Sequence, residues 1–233
     1  MVFSPKSKKY HNINFQLKFK DGTLIEKVKE YKYLGLIIDE ELNWKPHIKS
    51  LKSKLSQSLG ILYKLRHLTN KRVLYTIFQS LFMSRLNYGI LCWARAKNSV
   101  LQPLKILLNK ALRCINFCNF RDPVRHLLYR DKILQIDELF KLELGKFMHN
   151  FTSGKLLRNF DNYFLQIKTK HYHNTRNSQS NYFLPRKNST KGLVGLNYLG
   201  PRLWSEIPES IKIKKSITSF TSLYKASLLA TYD

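Results

Sequence analysis

Acidic residues are what this sequence most lacks: 15 Asp and Glu stand against 41 Lys and Arg among 233 residues, a formal net charge of +26. The shortage is local as well as global. No Asp or Glu occurs between Glu41 and Asp122, while basic residues recur from Lys45 to Arg121. A second acid-free stretch lies between Asp161 and Glu206 and carries Lys168, Lys170, Arg176, Arg186, Lys187, Lys191 and Arg202. Like charges this dense repel one another in a compact fold, and without neighbouring acids their field reaches well beyond the surface. A polyanion is therefore the expected partner. Nucleic acid stands ahead of an anionic membrane, because no basic amphipathic helix is set apart as an anchor.

Cysteine is scarce too, with only Cys92, Cys114 and Cys118. So small and odd a set, with no leader-like start, excludes a disulfide framework and predicts a reducing, intracellular compartment, nucleus or cytoplasm. Long apolar runs are missing as well. The nearest, Val73 to Ala94, carries Arg85 and is broken by Thr76, Gln79, Ser80, Ser84 and Asn87, so it reads as a buried helix, not a membrane span. Hydrophobic residues make up 43% and aromatics 13%, enough for one large domain or two small ones with a real core.

The usual catalytic constellations are absent. Metal-dependent polymerisation needs closely set carboxylates, yet no Asp-Asp pair occurs, and Asp39, Glu40 and Glu41 follow one another at a strand end where alternate side chains diverge. Cys114 and Cys118 lie one helical turn apart with His126 beyond, but a fourth zinc ligand is wanting, so buried thiols are expected. His171 and His173 have no cysteine cluster beside them. Neither a glycine-rich phosphate loop nor a nucleophile elbow is present. No catalytic and no metal-binding residue is therefore assigned.

What is there begins with strands. Ile13, Phe15, Leu17 and Phe19 alternate with polar residues, Asp21-Gly22 signals a hairpin turn, and Leu24 to Val28 would return. Tyr31 to Ile38, nearly continuous in apolar residues around Gly35, predicts one further strand covered on both faces. Helical spacing then takes over. Asn43 is the expected cap and Pro46 suits a first turn, with Ile48, Leu51, Leu55, Leu59, Leu62 and Leu65 on one stripe. Asn70 would cap a second helix with Leu74, Ile77, Phe78, Leu81 and Phe82. Asn98 would cap a third with Leu101, Leu104, Leu108, Leu112 and Ile115. Further helices are expected from Pro123 to Tyr129, from Asp137 to about Phe151, and from Ser216 to Ala230. The segment His171 to Ser180 is expected to be a polar linker or binding loop, Tyr182 to Pro185 and Leu193 to Leu199 short strands, and Gly200-Pro201 and Ile207-Pro208 turns.

The fold class that follows is mainly α, α+β overall. A β segment (1–42) precedes a basic helical domain (43–120), further helices (121–170) and a C-terminal region with short strands and a last helix (171–233). Opposite the first leucine stripe lie Lys49, Ser53, Ser56, Gln57, Gly60 and Lys64, with Lys45 and Lys52 beside them; Lys105, Lys110 and Arg113 hold the polar side of the third helix. Small residues flanked by lysines let a phosphate backbone come close without reading its sequence. A merely solvated polar face is the alternative. Tyr63, Tyr88, Trp93 and Trp204 interleave with bases and would either stack on unpaired bases or fill the core.

Tyr33-Leu34-Gly35-Leu36-Ile37-Ile38-Asp39, followed by Leu42-Asn43-Trp44 and His47-Ile48, resembles the passage from palm to thumb in non-LTR (LINE-type) reverse transcriptases, in the style of Jockey and CR1-like elements. Leu86-Asn87-Tyr88-Gly89 with Trp93, Leu107 to Ile115, Thr175-Arg176, Gly200 to Pro208 and Ser219-Phe220 are similar to the segments that follow in that family. The resemblance implies a thumb and tail that grip primer–template, RNA and DNA together, with Tyr33, Leu34 and Gly35 near the primer end. It implies Mg²⁺ only for the full-length enzyme, whose Tyr-x-Asp-Asp motif has no counterpart here, so this chain alone is expected to be inactive and to lack the upstream palm and fingers. Val2-Phe3-Ser4-Pro5 reads like mid-domain sequence, and a truncated copy is the expectation. The alternative is a basic RNA-binding or ribonucleoprotein assembly protein without polymerase activity.

Overall fold

The computed structural model describes Met1, Phe3 and residues 17–160, 162–167 and 181–232; the expected strand residues Ile13 and Phe15, the loop 171–180 with its two histidines, and Thr175-Arg176 lie outside the described residues. The chain packs as two compact units, Met1–Phe120 and Arg121–Asp233. It is mainly helical with a small β part. No described helix is long and apolar enough to cross a membrane.

In the first unit, Asp21-Gly22 turns the chain as its composition suggests. Gly22 takes φ 87°, the Asp21 carboxylate accepts from Thr23 N at 3.0 Å, and Lys18 bridges Leu24. Among the described residues the pairing here is that one bridge. Residues 31–38 depart further from expectation. They form two strands, β1 Glu30–Tyr33 and β2 Leu36–Asp39, paired antiparallel with Tyr33 opposite Leu36. Leu34 (φ 45°) and Gly35 (φ 80°) are the two loop residues. Positive φ at both is the geometry that matches hairpin twist, so the apolar run folds back on itself. Nor is it covered on both faces, since every residue of β1 is exposed.

Helix α1 spans Lys45–Leu65 with Pro46 in its first turn. Its cap is not Asn43 but Trp44, in left-handed conformation (φ 64°). The side chain that fixes this start is Asp39, buried at the end of β2, whose carboxylate accepts from Asn43 N at 3.1 Å and Trp44 N at 2.8 Å. Asn43 Oδ1 accepts from Lys45 N, and its Nδ2 donates to the Glu41 carboxylate. Ile48, Leu51, Leu55, Leu59 and Leu62 are buried as the stripe requires.

Helix α2, Lys71–Ile77, is capped by Asn70, whose Oδ1 accepts from Val73 N at 3.0 Å. It runs into a π-helical segment, Phe78–Met83, and then α3, Ser84–Asn87. A π turn takes in an extra residue and leaves carbonyls poorly paired. Here Ser58 of α1, fully buried, places Oγ 3.1 Å from both the Leu81 and Lys54 carbonyl oxygens and accepts from Arg85 Nη1 at 2.8 Å. The single charge of the Val73–Ala94 run thus stitches this rod to α1. Phe78 and Phe82, stacked at 5.5 Å, fill the space beneath. After Gly89, α4 (Ile90–Trp93) buries Trp93, whose indole N–H donates to the Tyr88 carbonyl. Helix α5, Asn98–Ile115, starts one residue earlier than expected, with Lys97 as its cap, and lays Leu101, Leu104, Leu108, Leu112 and Ile115 into the core against α1.

The second unit is built on α6 (Arg125–Arg130) and α7 (Ile136–Thr152). Helices Leu196–Glu206 and Ile217–Leu229 pack against α7, burying Trp204, Phe220 and Tyr224. Leu193 to Leu199 is no strand: helices Thr190–Leu193 and Leu196–Glu206 occupy it. Among the described residues, Tyr182 makes one bridge, to Gln166. Gly200-Pro201 does not turn the chain but sits buried inside a helix. A Cβ on Gly200 would lie 2.7 Å from Met148 Sδ and 3.0 Å from the Phe164 ring, so the glycine is there for close helix packing. Ile207-Pro208 does break the helix, Ile207 taking an extended conformation before the short helix Glu209–Lys212.

Candidate nucleic-acid interface

Helix α1 carries a leucine stripe, and its periodicity decides which residues face outward. At 100° per residue, Lys49, Ser53, Gly60 and Lys64 cluster opposite the stripe, with Lys45 and Lys52 at one flank, and all six are exposed. From Lys45 to Lys64 this face runs roughly 29 Å at 1.5 Å per residue. No acid lies anywhere on α1. Gly60 is helical, and a Cβ built there would meet nothing within 4 Å. No packing contact among the described residues therefore accounts for a residue that costs the helix about 1 kcal/mol relative to alanine.

The basic residues of α5 are placed differently. Lys105, Lys110 and Arg113 are half-buried. Lys105 and Arg113 are engaged by neighbouring groups, and Lys110 lies over the Phe120 ring, 5.6 Å from its centroid. The α1 residues thus lie exposed along one helix face, whereas those of α5 are less exposed.

Tyr33, Leu34 and Gly35 form the tip of the β1–β2 hairpin, with Tyr33 and Leu34 exposed. That tip is anchored by a residue more than fifty positions away. Tyr88 Oη donates to the Leu34 carbonyl oxygen, and a Cβ on Gly35 would come within 3.2 Å of the Tyr88 ring. Gly89 (φ 60°) returns the contact, since a Cβ there would lie 2.8 Å from Leu36. The Tyr-Leu-Gly and Asn-Tyr-Gly segments, separate in sequence, are two halves of one joint. Nothing in either alone announces this; the paired glycines were the available signal. Of the aromatic candidates, Trp93 and Trp204 are core, whereas Tyr63 and Tyr88 are exposed.

Two roles escaped sequence reasoning. Asp39 is the capping group described above. His47 is buried between Trp44 and Trp93, ring centroids 6.3 and 6.2 Å away, with Nδ1 accepting from Ile37 N at 3.4 Å and Nε2 without a partner. Burial, and then the Lys54 charge, push its pKa below the ordinary 6.5. Cys114 is a buried thiol, raised by burial and partly offset by Arg66.

The family resemblance implies Mg²⁺ in the full enzyme, and these residues do not fit it. Asp39 spends both carboxylate oxygens on backbone N–H groups, and among the described residues no three of His, Cys, Asp or Glu gather as metal ligands.

Comparison with known proteins finds likeness over part of the chain. It is 26% identical over 106 residues to the "Probable RNA-directed DNA polymerase from transposon BS" of Drosophila melanogaster, covering 43% of this chain and 11% of that protein. It is likewise 26% identical over 102 residues to the "Retrovirus-related Pol polyprotein from type-1 retrotransposable element R1" of Bradysia coprophila, covering 42% of this chain and 10% of that protein. The match thus spans about a tenth of the length of these relatives. No protein-family model matches the chain. No solved structure matches it. Nearly half of this chain is therefore similar to a segment of a transposon RNA-directed DNA polymerase and of a retrotransposable-element Pol polyprotein.

Proposed function

We propose that the first unit is a thumb-like module that grips primer–template, an RNA–DNA hybrid, by its phosphate backbone. The observation that carries this is the outward face of α1, where Lys45, Lys49, Lys52 and Lys64 are exposed along one acid-free helix beside Ser53 and the uncovered Gly60. Lysines neutralise phosphates and release their counterions, while small residues between them let the strand approach. Such contacts hold a duplex in register without selecting sequence, as a polymerase that moves along its template requires. The hairpin tip at Tyr33, Leu34 and Gly35 is assigned to the primer end, and polymerisation to carboxylates on a palm supplied by the same polyprotein.

The test is fluorescence anisotropy with a labelled RNA–DNA hybrid at several salt concentrations. Binding should weaken steeply with salt, and Lys49→Gln with Lys64→Gln should lower the log–log slope by about 2, one for each phosphate contact removed. An unchanged slope sinks the α1 assignment. Stronger binding to an RNA hairpin than to the hybrid favours an RNA-assembly protein instead. Primer extension with Mg²⁺ should be blank, and template-directed incorporation by the pure chain would overturn the inactive reading.

A further inference from the structure

The segment leaving α5 presents two phenylalanines to solvent inside the acid-free stretch. Phe117 is 46% exposed and Phe120 69%. Phe117 also takes a left-handed backbone, φ 56°. It sits just past the C-cap of α5 in a Schellman turn: Phe117 N donates to the Cys114 carbonyl at 3.3 Å and Cys118 N to the Arg113 carbonyl at 3.0 Å. Glycine suits that position, because a Cβ there crowds the neighbouring carbonyl oxygen. A bulky apolar residue that is both strained and exposed serves neither stability nor solubility, and strain of this kind gathers where it is used.

Each ring already has a cation at one face. The Arg66 guanidinium carbon is 5.5 Å from the Phe117 centroid, and Lys110 Nζ is 5.6 Å from that of Phe120. Arg66 is held in place by Nη2 donating to the Cys118 carbonyl at 3.3 Å. Arg121 follows at once, and no acid occurs in the preceding 79 residues, 42 to 120. Exposed aromatic faces for bases, interleaved with cations for phosphates, are what single-stranded nucleic acid needs.

We propose that Phe117 and Phe120, backed by Arg66 and Lys110, form a stacking site for the unpaired bases of an RNA or DNA strand. This goes beyond the α1 assignment, which concerns the backbone of a duplex, and it stands or falls separately. Stacking is tolerant of sequence because every base offers a flat face.

The experiment uses the full chain, Phe117→Gly and Phe120→Ala, with anisotropy on four labelled probes: single-stranded RNA of mixed sequence, the DNA equivalent, the same RNA with abasic positions, and a blunt RNA–DNA hybrid. Glycine fits φ 56° better than phenylalanine, so Phe117→Gly should melt no lower than the parent chain; Phe120→Ala alters an exposed ring and gives a second variant that keeps its fold. Each is expected to weaken the intact RNA and DNA strands by roughly fivefold or more, with little change on the abasic strand or the hybrid. Unchanged affinity of both variants for the intact strands overturns the site. So does an equal loss on the abasic strand, or a parent chain that does not bind single strands. Loss of hybrid binding by the Lys49 and Lys64 variants alone bears on α1 and leaves this site untouched.

Discussion

Helices of the two units use charge and glycine in opposite ways. In the second unit three helical cations have an acid three or four residues away: Lys146 lies 2.8 Å from Glu143, Lys212 2.9 Å from Glu209, and Arg202 3.6 Å from Glu206. Helix α1 has lysines at similar intervals and no acid at all. Glycines inside helices divide likewise. Gly145 of α7 lies where a Cβ would come within 2.7 Å of the Tyr224 ring, and Gly200 stands equally close to Met148, so each lets two helices approach. Gly60 of α1 has nothing near it. The second unit uses these residues to satisfy itself. The first unit leaves both its charge and its closest line of approach open to something outside the chain.

Gly145→Ala should break the second unit most severely. The added methyl must push on the Tyr224 ring, itself buried and packed on Phe220. Overpacking of this kind costs about 1–3 kcal/mol. Urea denaturation should show a lowered midpoint, while hybrid affinity of the folded protein stays the same. A variant as stable as the parent would mean that α7 and helix Ile217–Leu229 are not in the close contact described.

Much of this architecture is legible in the sequence where one face of one element decides it. The α1 and α5 stripes bury as their spacing requires, Asn70 caps α2, and Trp93 and Trp204 go to the core, because each outcome depends on neighbours within a few turns. What is not legible depends on distant partners. Tyr31 to Ile38 reads as one strand because its apolar run is nearly continuous, yet Tyr88 fixes the Leu34 carbonyl and backs Gly35, closing a hairpin. Gly200-Pro201 reads as punctuation, yet Met148 and Phe164 make glycine a packing requirement inside a helix. The site divides the same way. Exposure of the α1 lysines follows from the helix wheel, whereas the half-burial of Lys105, Lys110 and Arg113 depends on where the rest of the unit packs.

Gly60→Ala is the counterpart in the first unit and should act in the opposite sense. With open space around it, the new methyl meets no clash and gains the helix propensity that glycine forfeits, about 1 kcal/mol. Thermal melting should therefore shift upward. Hybrid affinity should fall, since a methyl now stands where the backbone is to approach. A variant that is more stable and binds equally well would remove Gly60 from the interface and leave the lysines to carry it.

The smallest effect appears only in mild acid and lies with the first unit's buried histidine, His47. His47 packs between Trp44 and Trp93, and its burial, then the Lys54 charge, disfavour the imidazolium. Because burial depresses its pKa below 6.5 in the folded chain, the unfolded chain binds the proton more readily. The stability contributed by neutral His47 is thus complete above pH 6.5 and drains away as pH falls below it. Denaturation midpoints measured from pH 8 to pH 5 should decline through the lower half of that range, and His47→Gln, which does not titrate, should flatten the decline. If the two profiles run parallel, the acid sensitivity belongs to other groups and His47 does not carry it.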